Sequence, residues 1–261
     1  EGIRVYNRAF FRLDAHLRRL FDSAKIYRMS MPYSIEQLKD ACREVVRRNE
    51  LSNAYVRPVA YRGYGSLSVA PGDKCPIEVS VAAIEWGAYL GEDAIDVGVS
   101  SWRRPSSTPA MAKAGGNYLS SQLITMEAQR HGYAEGIGLD ASGCVSEGAG
   151  ENLFIVRGGV ILTPPLSASI LPGITRDCVI ALARDLGYTV REEAIPRELL
   201  YVADEVFLTG TATEIAAVRS IDGIAVGIGP VTFALRRAFF GLFNGETKDR
   251  WGWIEKVDSK P

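Results

Sequence analysis

Ala112-Lys113-Ala114-Gly115-Gly116-Asn117-Tyr118-Leu119-Ser120-Ser121 sets one lysine directly before a small, flexible Ala-Gly-Gly turn. A helical pattern begins near Tyr118, so the lysine is pinned between two elements and its side chain is free to enter a cleft. Lysines placed in this way form Schiff bases with aldehydes and ketones once their amine is neutral. For any single lysine a solvated loop is the commoner role, so the rest of the chain has to decide between the two.

The chain has 261 residues and a formal net charge of -1, with 47% hydrophobic and 23% charged residues. That is the composition of a globular enzyme with one large or two modest domains. A balance this close to neutral gives no electrostatic case for nucleic acid or membrane surfaces. No apolar run approaches the length of a membrane span, and no signal-peptide pattern opens the chain. It starts at Glu1-Gly2-Ile3 without a methionine, as a sequence lacking its first residues would. Cys42, Cys75, Cys144 and Cys178 are scattered, with no C-x-x-C pair, and His16 and His131 lie far apart. Neither a disulfide framework nor a metal site is expected, and a reducing cytoplasm is the expected location.

Working outward, residues 3–11 read as strand, turn, strand, and residues 12–28 carry Leu13, Leu17, Leu20, Phe21 and Ala24 at helical spacing. Ser34 and Gln37 form a capping box for a second helix ending near Asn49. Residues 54–62 read as a strand broken by Pro58, which argues for an edge or a bulge, and Ile77 to Ile84 is a further strand. This order predicts a small α+β domain over 1–85. Two glycines in 86–96 mark a linker, and a larger domain follows over 97–261. Its elements are a strand at 97–102, a helix from Tyr118 to His131 stopped by Gly132, and a hairpin from Asn152 to Leu162 turning at Gly158-Gly159. A helix at 175–186, strands at 189–195 and 205–208, a hairpin around Asp222-Gly223, and a helix opened by Pro230 complete it.

Three further stretches carry possible chemistry. Ser146-Glu147-Gly148-Ala149-Gly150-Glu151-Asn152 places two carboxylates among three glycines. Glycines allow a flat ligand close to the backbone. A carboxylate beside a pyridine nitrogen keeps it protonated, which is the electron sink that pyridoxal phosphate chemistry needs. Leu171-Pro172-Gly173-Ile174-Thr175-Arg176 is a turn followed at once by a helix N-terminus, an anion site in kind. Thr209-Gly210-Thr211-Ala212-Thr213 adds hydroxyl and N–H donors after an apolar strand. Each alone also fits an ordinary polar turn or capped helix. There is no G-x-G-x-x-G and no G-x-x-x-x-G-K-[ST].

Taken together, these stretches suit one ligand: an aldehyde for Lys113, a pyridine nitrogen for a glutamate, and a phosphate for a helix N-terminus. On them, and on Glu1-Gly2-Ile3-Arg4, Asp22-Ser23-Ala24-Lys25, Tyr55-Val56-Arg57-Pro58 and Phe239-Phe240-Gly241-Leu242-Phe243, the chain resembles the branched-chain amino acid aminotransferases, fold-type IV pyridoxal-phosphate enzymes, over nearly its whole length. The resemblance implies an α+β, fold-type IV aminotransferase-like protein. Its small N-terminal domain is joined by a short linker to a larger, mixed α/β, barrel-like domain. It implies pyridoxal 5'-phosphate as cofactor, with amino groups exchanged between leucine, isoleucine or valine and 2-oxoglutarate.

By the same resemblance, Lys113 links to the cofactor and moves the proton, Tyr118 meets the phenolate oxygen, and Glu147 holds the pyridine nitrogen. Arg19, Ile174, Thr175 and Thr211 hold the phosphate, while Arg4, Tyr55, Arg57, Tyr89 and Ala212 meet the substrate. Arg57 would pair bidentately with the second carboxylate of glutamate. A homodimer or larger homo-oligomer is expected. The chain is shorter than its relatives near Ala94-Ile95, Arg104-Pro105 and Gly227-Ile228. Two alternatives in the same cofactor class are a D-amino acid aminotransferase and an aminodeoxychorismate lyase. A third, of another class, is a non-catalytic binding protein on the same scaffold.

Overall fold

The computed structural model describes residues 1–87, 90, 93–105 and 107–258. The chain divides into two units, the first made of Glu1–Gly87 and Asp249–Pro261 and the second of Ala88–Lys248. Among the described residues no helix is long and apolar enough to cross a membrane.

In the first unit, β1 (Ile3–Tyr6), β2 (Ala9–Phe11), β3 (Ala54–Arg62) and β4 (Ile77–Glu85) pair antiparallel, with a last strand, Ile254–Lys256, against β2. Two helices, α1 (Leu13–Ile26) and α2 (Ile35–Arg48), pack together and add to the same core. Leu13, Leu17 and Leu20 on α1, with Leu38, Cys42 and Val46 on α2, recur every three or four residues and close over Ile3, Val5, Phe10 and Val56. The capping box at Ser34 forms as expected: Ser34 Oγ accepts the Gln37 N–H at 3.2 Å, and Gln37 Oε1 accepts the Ser34 N–H at 2.8 Å.

Pro58 corrects one expectation. β3 is continuous and lies between β1 and β4, with Pro58 in register with Val81. The ladder from β1 ends at Val56. The Pro58 carbonyl accepts from the Glu1 nitrogen at 2.8 Å on the β1 side, and the proline nitrogen lies on the same side of β3 as its own carbonyl, so it faces away from Val81 and costs no hydrogen bond to β4.

The second unit is a nine-stranded mixed sheet in the order β10-β9-β8-β11-β12-β5-β6-β7, with β13 on β12. Its strands are β5 (Ile95–Arg103), β6 (Glu135–Leu139), β7 (Val145–Gly148), β8 (Asn152–Arg157), β9 (Val160–Thr163), β10 (Thr189–Glu192), β11 (Glu205–Gly210), β12 (Glu214–Ile221) and β13 (Ile224–Ala225). Its helices are α3 (Tyr118–Arg130), α4 (Ile174–Asp185) and α5 (Pro230–Asn244), and the strand at Ile254–Lys256 becomes β14. The sheet curls until its far members meet. The Val145 N–H at the head of β7 donates to the Ile195 carbonyl beyond β10 at 2.8 Å, and Cys144 bridges Pro196.

Alternation along each strand separates two layers. Leu153 and Ile155, Val206 and Leu208, and Ala216 and Val218 face one buried core with Ile137 and Leu139. Phe154 and Phe207, on the opposite face, stack at 5.0 Å. Both faces of β8 and β11 are therefore buried, which is why these strands read as near-continuous apolar runs.

Two boundaries differ from the sequence reading. β5 starts at Ile95, so Ile95 and Asp96 belong to the sheet and not to the linker. Residues 249–258, assigned above to the large domain over 97–261, belong to the first unit through β14. The return of the chain is a long-range pairing with no local pattern to announce it. The expected hairpins form where Gly158 and Gly159, and Asp222 and Gly223, adopt positive φ, the geometry of the favoured two-residue turn.

One buried carboxylate anchors α5. Its N-cap is Gly229, which has no capping side chain. Glu205 fills that role from β11, accepting the N–H groups of Val231 at 3.1 Å and Thr232 at 2.7 Å and the Thr232 hydroxyl at 2.6 Å. A Cβ on Gly229 would lie 2.2 Å from this carboxylate. Glu205→Ala is expected to lower stability by about 2–4 kcal/mol, read as a fall in the urea midpoint. An unchanged midpoint would remove Glu205 from this account.

Candidate active site

Lys113 is fixed through its backbone neighbours. The Asn117 side-chain amide donates to the carbonyls of Pro109 at 3.1 Å and Ala112 at 3.0 Å. The peptide just before the lysine is thereby tied to the first turn of α3, and Asn117 itself is buried. Lys113 Nζ then donates to the Tyr118 hydroxyl at 2.7 Å. Added Cβ atoms on Gly115 and Gly116 would meet nothing within 4 Å, so these glycines leave space open beside the lysine.

Glu147, next to the last residue of β7, is 4% exposed. Its Oε2 accepts the Asn152 side-chain amide and the Leu171 N–H, both at 3.0 Å, and its Oε1 lies 2.7 Å from Arg104 Nη2. Arg104 is itself held by Ser121 Oγ at 2.6 Å. Burial raises the Glu147 carboxyl to about 7, while Arg104, the Leu171 N–H and Lys113 pull it down. A carboxylate has about four lone-pair sites. Among the described contacts Oε1 has used one, so the group retains acceptor capacity for one more N–H donor.

Asn152 reaches from Glu147 to the Leu171 carbonyl at 3.0 Å, joining the Ser146–Asn152 stretch to the Leu171–Thr175 turn. A Cβ on Gly173 would lie 1.9 Å from Asn152 Oδ1, so the turn needs glycine at that position. Gly173 is also the N-cap of α4 and supplies no side-chain cap. The N–H groups of Ile174 and Thr175 have no hydrogen bond among the described residues, and the buried Thr209 hydroxyl has none either. Thr211 and Ala212 follow it, half-buried, in the turn between β11 and β12.

The glycines of the Ser146–Asn152 stretch divide in role. Gly150 faces open space, whereas a Cβ on Gly148 would lie 2.9 Å from Glu151 Oε2. Gly148 therefore makes room for the chain's own carboxylate rather than for a ligand.

These groups fit pyridoxal phosphate on the structure's own terms. The second unit holds a primary amine beside a phenol, a buried carboxylate with one acceptor site to spare, and an uncapped helix N-terminus near a buried, unpartnered hydroxyl. Arg104, Ser121 and Asn152 were not found from the sequence, because contacts so distant along the chain leave no spacing signal.

Arg4, Arg19, Tyr55 and Arg57, also expected at the site, belong to the first unit. Arg19 donates from Nε and Nη2 to the two carboxylate oxygens of Glu1, at 2.8 and 2.9 Å, and His16 Nδ1 lies 2.8 Å from Glu1 Oε2. Burial opposes the ionised form of Glu1, but Arg19 and His16 outweigh it and hold that carboxyl well below its usual range. Arg4 donates to the Gly87 carbonyl at 3.0 Å and lies over the Tyr6 ring. Tyr55 is buried against Trp86, at 5.2 Å between ring centres, and occupies the space a side chain at Gly2 would need. Arg57 projects from β3 into solvent with no hydrogen bond or ion pair among the described residues. Tyr89 lies outside the described residues.

The chain matches the family model of amino-transferase class IV over residues 1–221. It is 54% identical over 272 aligned residues to the branched-chain-amino-acid aminotransferase of Salmonella typhimurium, covering 99% of this chain and 88% of that protein. Its fold matches the crystal structure of the Escherichia coli branched-chain amino acid aminotransferase with a TM-score of 0.97 at 54% identity, covering 99% of this chain and 89% of that one. It also matches the crystal structure of the branched-chain amino acid aminotransferase from Thermobaculum terrenum in its PLP-form, with a TM-score of 0.93 at 34% identity over 99% and 89% of the two chains. With the lysine, the buried glutamate and the open helix end in place, the chain belongs to the class IV aminotransferases.

Proposed function

We propose that the protein is a branched-chain amino acid aminotransferase. It moves the amino group of leucine, isoleucine or valine to 2-oxoglutarate, leaving the branched 2-oxo acid and glutamate. The observation that carries this reading is the 2.7 Å contact of Lys113 Nζ with the Tyr118 hydroxyl in the same unit as the buried Glu147. A binding protein on this scaffold would have no use for that combination.

Bound pyridoxal phosphate supplies an aldehyde to carry the amino group and a ring that draws electrons from the bond losing its proton. The chain's residues do the rest. Glu147 would accept the ring N–H at its spare Oε1 site, and Arg104 holds that carboxyl in place and favours its charged form against burial. Tyr118 would hold the phenolate oxygen by its hydroxyl. Lys113 Nζ takes the proton from the substrate carbon and returns it. The Ile174 and Thr175 N–H groups and the Thr175 and Thr211 hydroxyls would hold the phosphate. Arg19 for the phosphate, and Arg4, Tyr55, Arg57, Tyr89 and Ala212 for the substrate, are proposed on the family likeness. The exposed guanidinium of Arg57 supports its part. A homo-oligomer and a cytoplasmic location complete the proposal. Tyr64, Leu67 and Val69, almost fully exposed in the single chain, support the first, and cysteines with no disulfide among them support the second.

The purified protein with pyridoxal phosphate is expected to be yellow, with a band that borohydride abolishes. Lys113→Ala is expected to lower leucine turnover by about 10²–10⁴-fold. A folded protein that takes up no pyridoxal phosphate overturns the proposal, and D-alanine turnover exceeding that of L-leucine overturns its substrate. Arg57→Ala is expected to raise KM for 2-oxoglutarate about tenfold or more while changing that for leucine little, as measured by half-reactions.

Glu147 gives a pH test. Its folded-state value near 7 lies above the ordinary 4.5, so between these values the folded, cofactor-free protein binds a proton that the unfolded chain has released. Its contribution to stability is then full below pH 4.5 and is lost as pH rises through 7. Glu147→Gln is expected to flatten that part of the melting-temperature profile.

A further inference from the structure

Thr209, 1% exposed near the end of β11, carries a hydroxyl that meets no hydrogen-bond partner among the described residues. Of the described residues in the second unit, only Arg104, at Nε, shares that condition, and Arg104 is held through its other nitrogens by Ser121 and Glu147. Buried hydroxyls elsewhere in the unit spend their protons. Ser146 Oγ donates to the Ala168 carbonyl at 2.6 Å and Thr163 Oγ1 to the Leu153 carbonyl at 2.8 Å. Thr213 Oγ1 donates to Glu151 at 2.8 Å and Thr232 Oγ1 to Glu205 at 2.6 Å. A buried hydroxyl without a partner is destabilising, and a valine would fill nearly the same space with no polar atom to desolvate.

Strand alternation says where this hydroxyl points. Leu208 faces the aliphatic core, and a Cβ on Gly210 would lie 3.6 Å from the Glu151 side chain. Thr209 therefore shares the opposite face with Phe207. It stands in register with Asn152 of β8, and residues opposite each other in an antiparallel pair have their Cβ atoms about 5 Å apart on one face. On that face Asn152 donates to the Leu171 carbonyl at 3.0 Å, and its Oδ1 fills the space beside Gly173. α4 starts at Ile174, directly after Gly173, and packs on β11. The Thr209 hydroxyl thus lies beside the residue that holds the Leu171–Thr175 turn, on the side of the sheet that α4 covers.

Unused donors of two kinds meet there. The Ile174 and Thr175 N–H groups stand at the positive end of a 12-residue helix with no hydrogen bond among the described residues, a setting that favours an anion. The Thr209 proton adds a third donor from the sheet. A phosphate monoester presents three strong acceptor oxygens, which suits donors converging from a helix end and a strand.

We propose that Thr209 is a binding residue for the phosphate of pyridoxal phosphate, donating its hydroxyl proton beside the Ile174 and Thr175 N–H groups. The assignment rests on the cofactor reading above. It adds a donor to the Thr175 and Thr211 hydroxyls, and it accounts for a threonine where valine would pack at no polar cost.

Pyridoxal, which lacks only the phosphate, separates a phosphate contact from a general effect on the site. The affinities of the cofactor-free protein for pyridoxal phosphate and for pyridoxal are read from the absorbance change on titration. Thr209→Val is expected to weaken pyridoxal phosphate about ten- to a hundredfold, the range for a hydrogen bond to a charged group, and to leave pyridoxal unchanged. Thr209→Ser keeps the hydroxyl and should restore most of the loss. The melting temperature of cofactor-free Thr209→Val should hold or rise, since the variant sheds a hydroxyl that has no partner.

The ratio of the two affinities decides. Equal weakening of both ligands, weakening of neither, or a Thr209→Ser variant as impaired as Thr209→Val overturns the proposal. A lower melting temperature with an unchanged ratio marks a structural hydroxyl and overturns it too. If Thr209→Val does not fold, Thr209→Ala takes its place in the same comparison. A parent protein that takes up no pyridoxal phosphate defeats the functional reading itself, whereas a parent and a Thr209→Val variant that take it up equally well defeat only the part given to Thr209.

Discussion

The carboxylate of Glu147 is the point on which the second unit's chemistry depends. Removing it from water is costly, and its ion pair with Arg104 does not fully repay that cost, which is why burial still raises the group towards neutrality. The structure surrounds it with an amide and a backbone N–H on one oxygen and a guanidinium on the other. These partners come from three places in the chain: the end of β5, the start of β8 and the turn before α4. The need to satisfy one buried charge thus fixes the relative placement of segments that are far apart in sequence.

The curled sheet makes this possible. Its interior is filled by aliphatic side chains, its other face carries the stacked pair Phe154 and Phe207, and polar groups collect where the strands end. Thr209 lies near the end of β11, Asn152 starts β8 and Glu147 lies near the end of β7, so the polar cluster is a property of strand ends and not of the core.

The parts of this arrangement that were legible in the sequence are those with local causes. The Ser34–Gln37 capping box, the Asp222-Gly223 turn and Pro230 at the first position of α5 each act within a few residues, and each forms as read. The site stretches stood out only jointly, through likeness to a known family. What was hidden is whatever depends on packing at long range. Arg104 is an ordinary arginine until the fold brings it to Glu147, and Glu205 is an ordinary strand residue until it caps α5. Pro58 misled because a proline's cost depends on which side of the strand its nitrogen faces, and no local pattern reports that.

The pairing of β14 with β2 has a consequence for how the molecule is made. Residues needed by the first unit are synthesised after the whole of the second. On the ribosome the usual order, in which the N-terminal unit finishes first, is reversed here. The second unit has all its strands before the first can close its sheet. Until then β2 presents an unpaired edge, and Phe10 and Phe11, which it carries, stand next to it. An unpaired apolar edge of this kind invites pairing with other chains, so the nascent first unit is where protection during synthesis is most needed.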